Sequence, residues 1–298
     1  MKNLKLGIIG ESPGNGHPYS WSAICNGYDY NFMKTCPYRA IPEYLFSKTW
    51  PDSAIKHVNV SHIWTQNLTS SKYIAACAKI PNVVENIEDM FGNVDGILLA
   101  RDDFENHYEN AKNILLSGIP IFIDKPIATN LIDLDLIMSM QQYDSQIFTC
   151  SSLRFSDEMI ISEKDQLDLK DIKYIEASTP NSWEKYSVHL IEPIIASFKS
   201  RGKLKNAEII FKNSSVTKVL VNWSALNAVI TSYGNKSNVP MSINYFGKET
   251  SIQKFLIDPF HAFKKSIEAF IKMIRNKNNI IPISDTIETV SIIDSGVI

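Results

Sequence analysis

Cysteine is scarce in this chain of 298 residues: Cys25, Cys36, Cys77 and Cys150 are all there is, and no two of them stand at C-x-x-C spacing. That pattern argues against a disulfide framework or a zinc site and fits four small hydrophobic side chains in a reducing compartment. A dominant sign of charge is also missing, since 30 basic residues face 32 acidic ones for a formal net charge of -2. Without a global basic field, nucleic acid and anionic membrane surfaces are not expected as partners. Long apolar runs are absent too. The first short one, in MKNLKLGIIGESPG, is broken at Glu11, so it reads as neither a signal peptide nor a membrane span, and a cytoplasmic protein is expected. The last absence is an intact G-x-G-x-x-G: Ser12 takes the place of the second glycine after Gly10, and Gly14 and Gly16 come late.

With 44% hydrophobic and 21% charged residues, the chain can bury a sizeable core, and its length suits two medium domains. Leu4 to Gly10 reads as a buried strand, ESPGNGHPYS as a glycine-rich turn, and the segment around Trp21 to Asn26 as a helix. Alone, a glycine cluster marks a flexible turn more often than a cofactor loop. Between a first strand and a helix, it offers backbone N–H groups to a pyrophosphate, with Asn15, His17 and Ser20 as further donors. Residues 28–60, rich in aromatics and proline, exceed what a minimal dinucleotide-binding fold needs and read as an insertion. A strand follows at Ser61 to Thr65. Where a dinucleotide binder commonly has an acid for the ribose hydroxyls, this chain has Gln66 and Asn67, so that position does not separate NAD from NADP. A helix at Ser70 to Lys79, a strand at Asn82 to Glu85, a helix at Leu131 to Gln142 and a strand at Gln146 to Ser151 continue the alternation of a doubly wound parallel sheet.

The stretch from Gly92 to Ala128 carries the most information. Gly96 to Ala100 and Ile119 to Ile123 are apolar runs of the kind buried on both faces of a parallel sheet. The helix between them starts at Asp102 and Asp103, repeats Tyr108, Ala111, Ile114 and Leu115 at helical spacing, and stops at Gly118. The second strand then runs into Asp124, Lys125 and Pro126 at the sheet edge where ligands bind. A lysine after a strand can be an ordinary surface residue. Here Pro126 restrains the backbone beside it, and His107 would lie at the same edge. The run from Asp103 through His107, Ala111 and Gly118 to Asp124-Lys125-Pro126 resembles the signature of the glucose-fructose oxidoreductase, inositol dehydrogenase and rhizopine catabolism family (Gfo/Idh/MocA), with Asp124 where that family usually has glutamate. The resemblance implies a nicotinamide-dependent dehydrogenase or reductase of sugars or polyols, with NAD or NADP as cofactor, Lys125 near the reacting carbon and a cis Lys125–Pro126 bond.

After about residue 156 the pattern changes. Ile172 to Ser178 reads as a strand and Trp183 to Lys199 as a helix. Strands then follow at Ala207 to Lys212, Val216 to Trp223, Ala228 to Gly234 and Met241 to Phe246, and helices at Phe260 to Arg275 and Ser284 to Gly296. The expected architecture is therefore α/β: a Rossmann domain over residues 1–152 and an α+β domain over 153–298 with a mainly antiparallel sheet. The closing SDTIETVSIIDSG also resembles the terminal helix of the family, and this last helix is expected to pack back near the first domain. On the Trp183 helix, Lys185, His189 and Glu192 share one stripe beside an apolar face. A histidine on such a border is about as often a half-buried structural residue. The resemblance implies that His189, three residues before Glu192, is the acid/base; the family commonly has aspartate four residues before it, where this chain has Lys185.

Hydride leaves a secondary alcohol carbon as its hydroxyl proton is removed, which calls for a base that titrates near neutrality and a cation for the developing alkoxide. The expected catalytic pair is Lys125 and His189. Cofactor-binding positions are Gly10, Ser12, Gly14, Asn15, His17, Gln66, Arg101, Asp102, His107 and Lys125. Substrate-binding positions are Lys125, Arg154, Lys185, His189 and Glu192, and no metal is expected. Lys185 points to an anionic sugar: a phosphate, an acid or a nucleotide-linked sugar. A homo-oligomer formed through the C-terminal sheet is expected as well. The rival reading is a catalytically impaired paralogue that binds cofactor or sugar. A methyltransferase on a similar sheet leaves Asp124-Lys125-Pro126 and His189 without a role.

Overall fold

The computed structural model describes residues 2–172, 174–235 and 237–297. They form two compact units. The first comprises Met1–Ile127, Asp135–Thr149 and Ile267–Ile280; the second comprises Ala128–Leu134, Cys150–Ser266 and Ile281–Ile298.

In the first unit β1 (Leu4–Gly10), β2 (Val58–Thr65), β3 (Asn82–Val83), β4 (Gly96–Leu99), β5 (Ile121–Ile123) and β6 (Ile147–Thr149) make one sheet in the order β3-β2-β1-β4-β5-β6. Every neighbouring pair is parallel. This is the Rossmann order, and the strand sequence reverses between β1 and β4. All residues of β4 and β5 are buried, because helices cover both faces; hence these strands are continuous apolar runs and do not alternate. Helices α1 (His17–Asn26), α4 (Leu68–Ala78) and α5 (His107–Leu116) supply crossovers, and α6 (Leu131–Met138) follows β5 in the chain. Asn67 caps α4 by accepting the N–H groups of Thr69 and Ser70, and Lys79 ends it at a φ of 53°. Residues 28–57 hold two short helices, α2 (Tyr30–Met33) and α3 (Ala40–Phe46), with Phe46 against both Tyr28 and Tyr30. The insertion is shorter than expected, since β2 starts at Val58: residues 58–60 alternate in burial and continue the ladder with β1.

The first unit also takes the second half of a long helix, α10 (Pro259–Asn276). There Phe270 packs on Phe122 and Phe148, each at 5.8 Å between ring centroids. A Cβ at Gly96 would come within 2.7 Å of Ile274, so the glycine lets this helix press directly on β4.

In the second unit β7 (Tyr174–Thr179), β8 (Leu204–Lys212), β9 (Thr217–Trp223), β10 (Asn227–Ser232), β11 (Ser242–Phe246) and β12 (Ser251–Phe255) form a sheet in the order β12-β11-β7-β10-β9-β8. The β7–β10 pair is parallel and the other four pairs are antiparallel. The predicted helix Trp183 to Lys199 is divided into α8 (Trp183–Tyr186) and α9 (Val188–Ser197). The inner face of the sheet, with Ile175, Val219, Val221, Ile230, Ile243 and Tyr245, shares one core with Leu190, Ile191, Ile194 and Ile195 of α9 and with Ile292 and Ile293 of the last helix, α11 (Ile283–Ser295). Two elements escaped the sequence reading. Helix α7 (Glu163–Leu169) is signed by a capping box of Ser162 and Asp165, and β12 alternates exposed and half-buried residues without an apolar run. Segment 267–280 belongs to the first unit, whereas α11 belongs to the second, where Ile293 accepts the Trp183 indole N–H at 2.7 Å. No described helix is long and apolar enough to cross a membrane.

Phe270 is fully buried, so Phe270→Ala should destabilise the chain by about 3–5 kcal/mol, the range for emptying an aromatic site in a core. Urea unfolding checks it; a loss under about 1 kcal/mol would show that the helix adds little to the first unit.

Candidate active site

Strands β1, β4 and β5 are neighbours, so their C-terminal ends bring together the glycine turn, the Arg101-Asp102 step and the Asp124-Lys125 step. The Ser12 hydroxyl donates to Asp102 Oδ1 at 2.8 Å, and the Asp102 N–H donates back to Ser12 Oγ at 3.2 Å. These bonds tie the β1 and β4 loops across the point where the strand order reverses. Lys125 is buried with its Nζ 3.7 Å from Asp102 Oδ2, and the Lys125–Pro126 bond is cis, as the resemblance implies.

Asp124 is the best-held group at this edge. It is 1% exposed; its Oδ2 accepts from Asn15 Nδ2 at 2.8 Å and lies 2.6 Å from His17 Nδ1, while its Oδ1 accepts the Lys125 N–H at 2.8 Å. Burial alone would push this carboxyl up, but the His17 charge and hydrogen bond, the Lys125 charge and the Asn15 bond outweigh it and hold the pKa down at about 2. His17 lies flat on Trp21 at 4.7 Å and 12°, and Trp21 in turn stacks on Phe122 at 4.8 Å. The sequence marked Asp124 as a departure from the family glutamate. Its role in holding the turn needed the fold, because Asn15 and His17 are more than a hundred residues away.

The turn has the features of an anion cradle. Asn15 Oδ1 accepts the His17 N–H at 2.8 Å, fixing the start of α1. Gly14 has a φ of +84° and nothing within 4 Å of where a side chain would stand. The N–H groups of Ser12, Gly14 and Gly16 take no hydrogen bond among the described residues, which leaves three backbone donors for phosphate oxygens. A Cβ at Gly16 would collide with Ile41 and Tyr38 at 2.5 and 2.7 Å, so the insertion closes over the turn at that point. These donors fit a dinucleotide even though the glycine spacing departs from G-x-G-x-x-G.

The other predicted cofactor positions are placed as follows. Gln66 bonds to the Glu11 backbone and to Arg101, and Arg101 pairs bidentately with Asp103 at 3.0 and 2.6 Å. His107 is fully buried between two carbonyls, with Nε2 2.8 Å from Arg101 O and Nδ1 3.0 Å from Ile127 O. It fastens the loop after β4 to the chain beyond Pro126.

In the second unit His189 is half-buried with Nδ1 2.7 Å from the hydroxyl of Ser151. The Ser151 N–H donates to Glu192 Oε1 at 3.4 Å, and Glu192 Oε2 faces Arg154 Nη1 at 3.5 Å. Arg154 also bonds Asp285, and Arg201 pairs with Glu288 at 2.8 Å and lies 3.7 Å from Asp285. Burial pushes Glu192 up to about 7 against the pull of Arg154. Arg154 and Glu192, both predicted to face substrate, thus bond to each other within a buried network. Lys185 is half-buried on α8, one interruption at Ser187 away from His189; Ser187 keeps right-handed helical angles, so the course is maintained. Pro193 lies inside α9 and has no backbone N–H to give to the helix. Ser151 and Asp285 were missed. Each is one polar residue at the edge of an element, a signal that sequence alone does not separate from many others.

The sequence family described as an oxidoreductase family with an NAD-binding Rossmann fold, Gfo/Idh/MocA, matches residues 44–150. Over these residues the chain is similar to the Gfo/Idh/MocA oxidoreductases. The family match begins after the glycine turn, the part of the first unit that departs most from the usual spacing. Among curated protein sequences no match is found. Solved structures of the same fold include scyllo-inositol dehydrogenase from Lactobacillus casei with bound NAD(H) and scyllo-inositol, at 15% identity and a TM-score of 0.71 over 99% of this chain and 96% of that one. Myo-inositol 2-dehydrogenase from Lactobacillus plantarum gives 12% and 0.72 over 99% and 97%. A 3-ketoreductase from Actinomadura kijaniata, in complex with TDP-benzene and NADP, gives 13% and 0.69 over 99% and 96%. At such identities the likeness is one of fold.

The depressed pKa of Asp124 sets a pH signature. Its contribution to stability is complete above the unfolded-state value of about 3.9 and is lost as pH falls through about 2. Asp124→Asn should therefore lower stability at neutral pH and flatten the decline between about pH 4 and 2. Unfolding midpoints measured across that range check this, and parallel declines in the two proteins would rule it out.

Proposed function

We propose that the protein is an NAD(P)-dependent oxidoreductase that moves a hydride to or from a secondary hydroxyl or keto carbon of a sugar or sugar derivative. The observation that supports this best is Lys125, buried and ion-paired with Asp102, at the end of β5 beside a turn with three unused backbone donors. Ser12, Gly14, Asn15 and Gly16 would hold the phosphates, and the bound nicotinamide would supply the hydride acceptor or donor.

The residues of the chain do the rest. Asp102, 3.7 Å from the ammonium of Lys125, holds it at this edge, where Lys125 would orient the reacting hydroxyl and stabilise an alkoxide as its proton leaves. His189 is the proton acceptor, and Ser151 at Nδ1 fixes the direction of its ring. When Nδ1 donates to the Ser151 hydroxyl, Nε2 carries the lone pair that a base needs. The reverse reaction returns the proton by the same route. Lys185, four residues before His189, supports an anionic substrate such as a sugar phosphate, a sugar acid or a nucleotide-linked sugar. Assembly through the second sheet is part of this reading, and exposed Ile210 and Phe211 on β8 support it.

Two outcomes are expected. Lys125→Met keeps length and removes charge; NADH binding should change little while turnover falls about 10²- to 10⁴-fold, the loss typical of a catalytic group. Near-normal turnover would remove Lys125 from the chemistry, and loss of turnover in the wild type with intact binding would favour the impaired paralogue. Lys185→Asp should weaken an anionic substrate and move the rise of activity with pH upward, because a cation near an imidazole favours its neutral form. An unchanged KM and pH profile would set the anionic substrate aside.

A further inference from the structure

Dinucleotide-binding sheets commonly end β2 in an acid that holds the adenosine ribose. Here β2 ends at Thr65, Gln66 follows it, and the Gln66 amide is already engaged. Its Oε1 accepts the Glu11 N–H at 3.1 Å and Arg101 Nη1 at 3.0 Å, and its Nε2 donates to the Glu11 carbonyl at 2.7 Å. Three partners of the right kind fix which way the amide faces. In the β1–β2 pair Gly10 stands beside Thr65, and the two hydrogen bonds between the Gln66 amide and the Glu11 backbone put Glu11 beside Gln66, next to the place where the ribose acid would be. The Glu11 carboxylate is half-buried and takes no hydrogen bond or ion pair among the described residues. Its surroundings place it on the turn: Tyr38 and Tyr19 are both pushed up, first by burial and then by the Glu11 charge, and Tyr38 is the residue that packs over Gly16.

We infer that Glu11 binds the adenosine ribose hydroxyls in place of the missing acid after β2 and selects NAD over NADP. The inference rests on the dinucleotide reading above and adds the identity of the nucleotide. Two ribose hydroxyls can donate to one carboxylate, whereas a 2′-phosphate would bring about two negative charges against it. The cation at this spot does not offset that. Arg101 spends Nε and Nη2 on Asp103 at 3.0 and 2.6 Å and Nη1 on Gln66, so its charge is matched by a carboxylate and its planar fork is taken. In this chain the acid stands not after β2 but as the first residue after β1.

Fluorescence titration of the full chain with NADH and with NADPH tests this without any substrate. The wild type should bind NADH about tenfold or more tightly than NADPH. Glu11→Gln should narrow that ratio mainly by weakening NADH about tenfold, the loss expected for a hydrogen bond to a charged group. Glu11→Lys should reverse the preference. Circular-dichroism melts establish that each variant is folded, and if one variant fails to fold the wild-type ratio and the other variant decide. Equal affinity for the two nucleotides in the wild type, or a ratio that stays the same in the folded variants, overturns the role of Glu11 and leaves the dinucleotide reading standing. If the wild type binds neither nucleotide at millimolar concentration, the oxidoreductase reading fails and this inference falls with it.

Discussion

The first unit depends on one buried carboxylate. Asp124 is taken out of water at the end of β5, where an unpaired charge would be intolerable, and it stays ionised because His17, Asn15 and the Lys125 backbone all converge on it. That convergence determines how the edge is built. The glycine turn is drawn onto β5, the backbone at Lys125 is set by the same carboxylate, and the ammonium of Lys125 is left to Asp102. Asp124 is one methylene shorter than the usual family glutamate, and the turn comes to it through Asn15 and His17.

The second unit meets a similar problem with a longer chain of charges. Glu192, Arg154, Asp285, Arg201 and Glu288 alternate in sign from α9 to α11, and Trp223 donates its indole N–H to Glu288 at 2.6 Å. Glu192 remains the least comfortable member, pushed up to about 7 by burial. Its neighbour Ser151 bonds it through the peptide N–H and His189 through the hydroxyl, so the imidazole is oriented by the same segment that neutralises the network.

Much of the fold was legible because hydrophobic period and length are local properties. Gly96–Leu99 and Ile121–Ile123 were apolar runs and became central parallel strands, and the Gly118 stop fell where the helix ends. Elements without that signal were lost: β12 has no apolar run, and the division of the Trp183 helix at Ser187 leaves no trace in its spacing. At the candidate sites, Lys125 and His189 were expected from motif and resemblance, whereas the pairings among the residues around them were not legible. Asp124 meets His17 across 107 positions, and Arg154 meets Asp285 across 131. Such pairs have no shared periodicity, and opposite charges are too common in the sequence for a reader to match them.

His17, Trp21 and Phe122 form a continuous stack from the turn into the sheet, and Phe122 passes the contact on to Phe148 and Phe270. A turn rich in glycine would ordinarily sample many shapes and lose that freedom when a ligand arrives. This one is tied at His17, where it enters α1, to an aromatic column anchored in the core. A ligand bound at this turn would have less of the protein to order, and more of its contact energy would be retained as affinity.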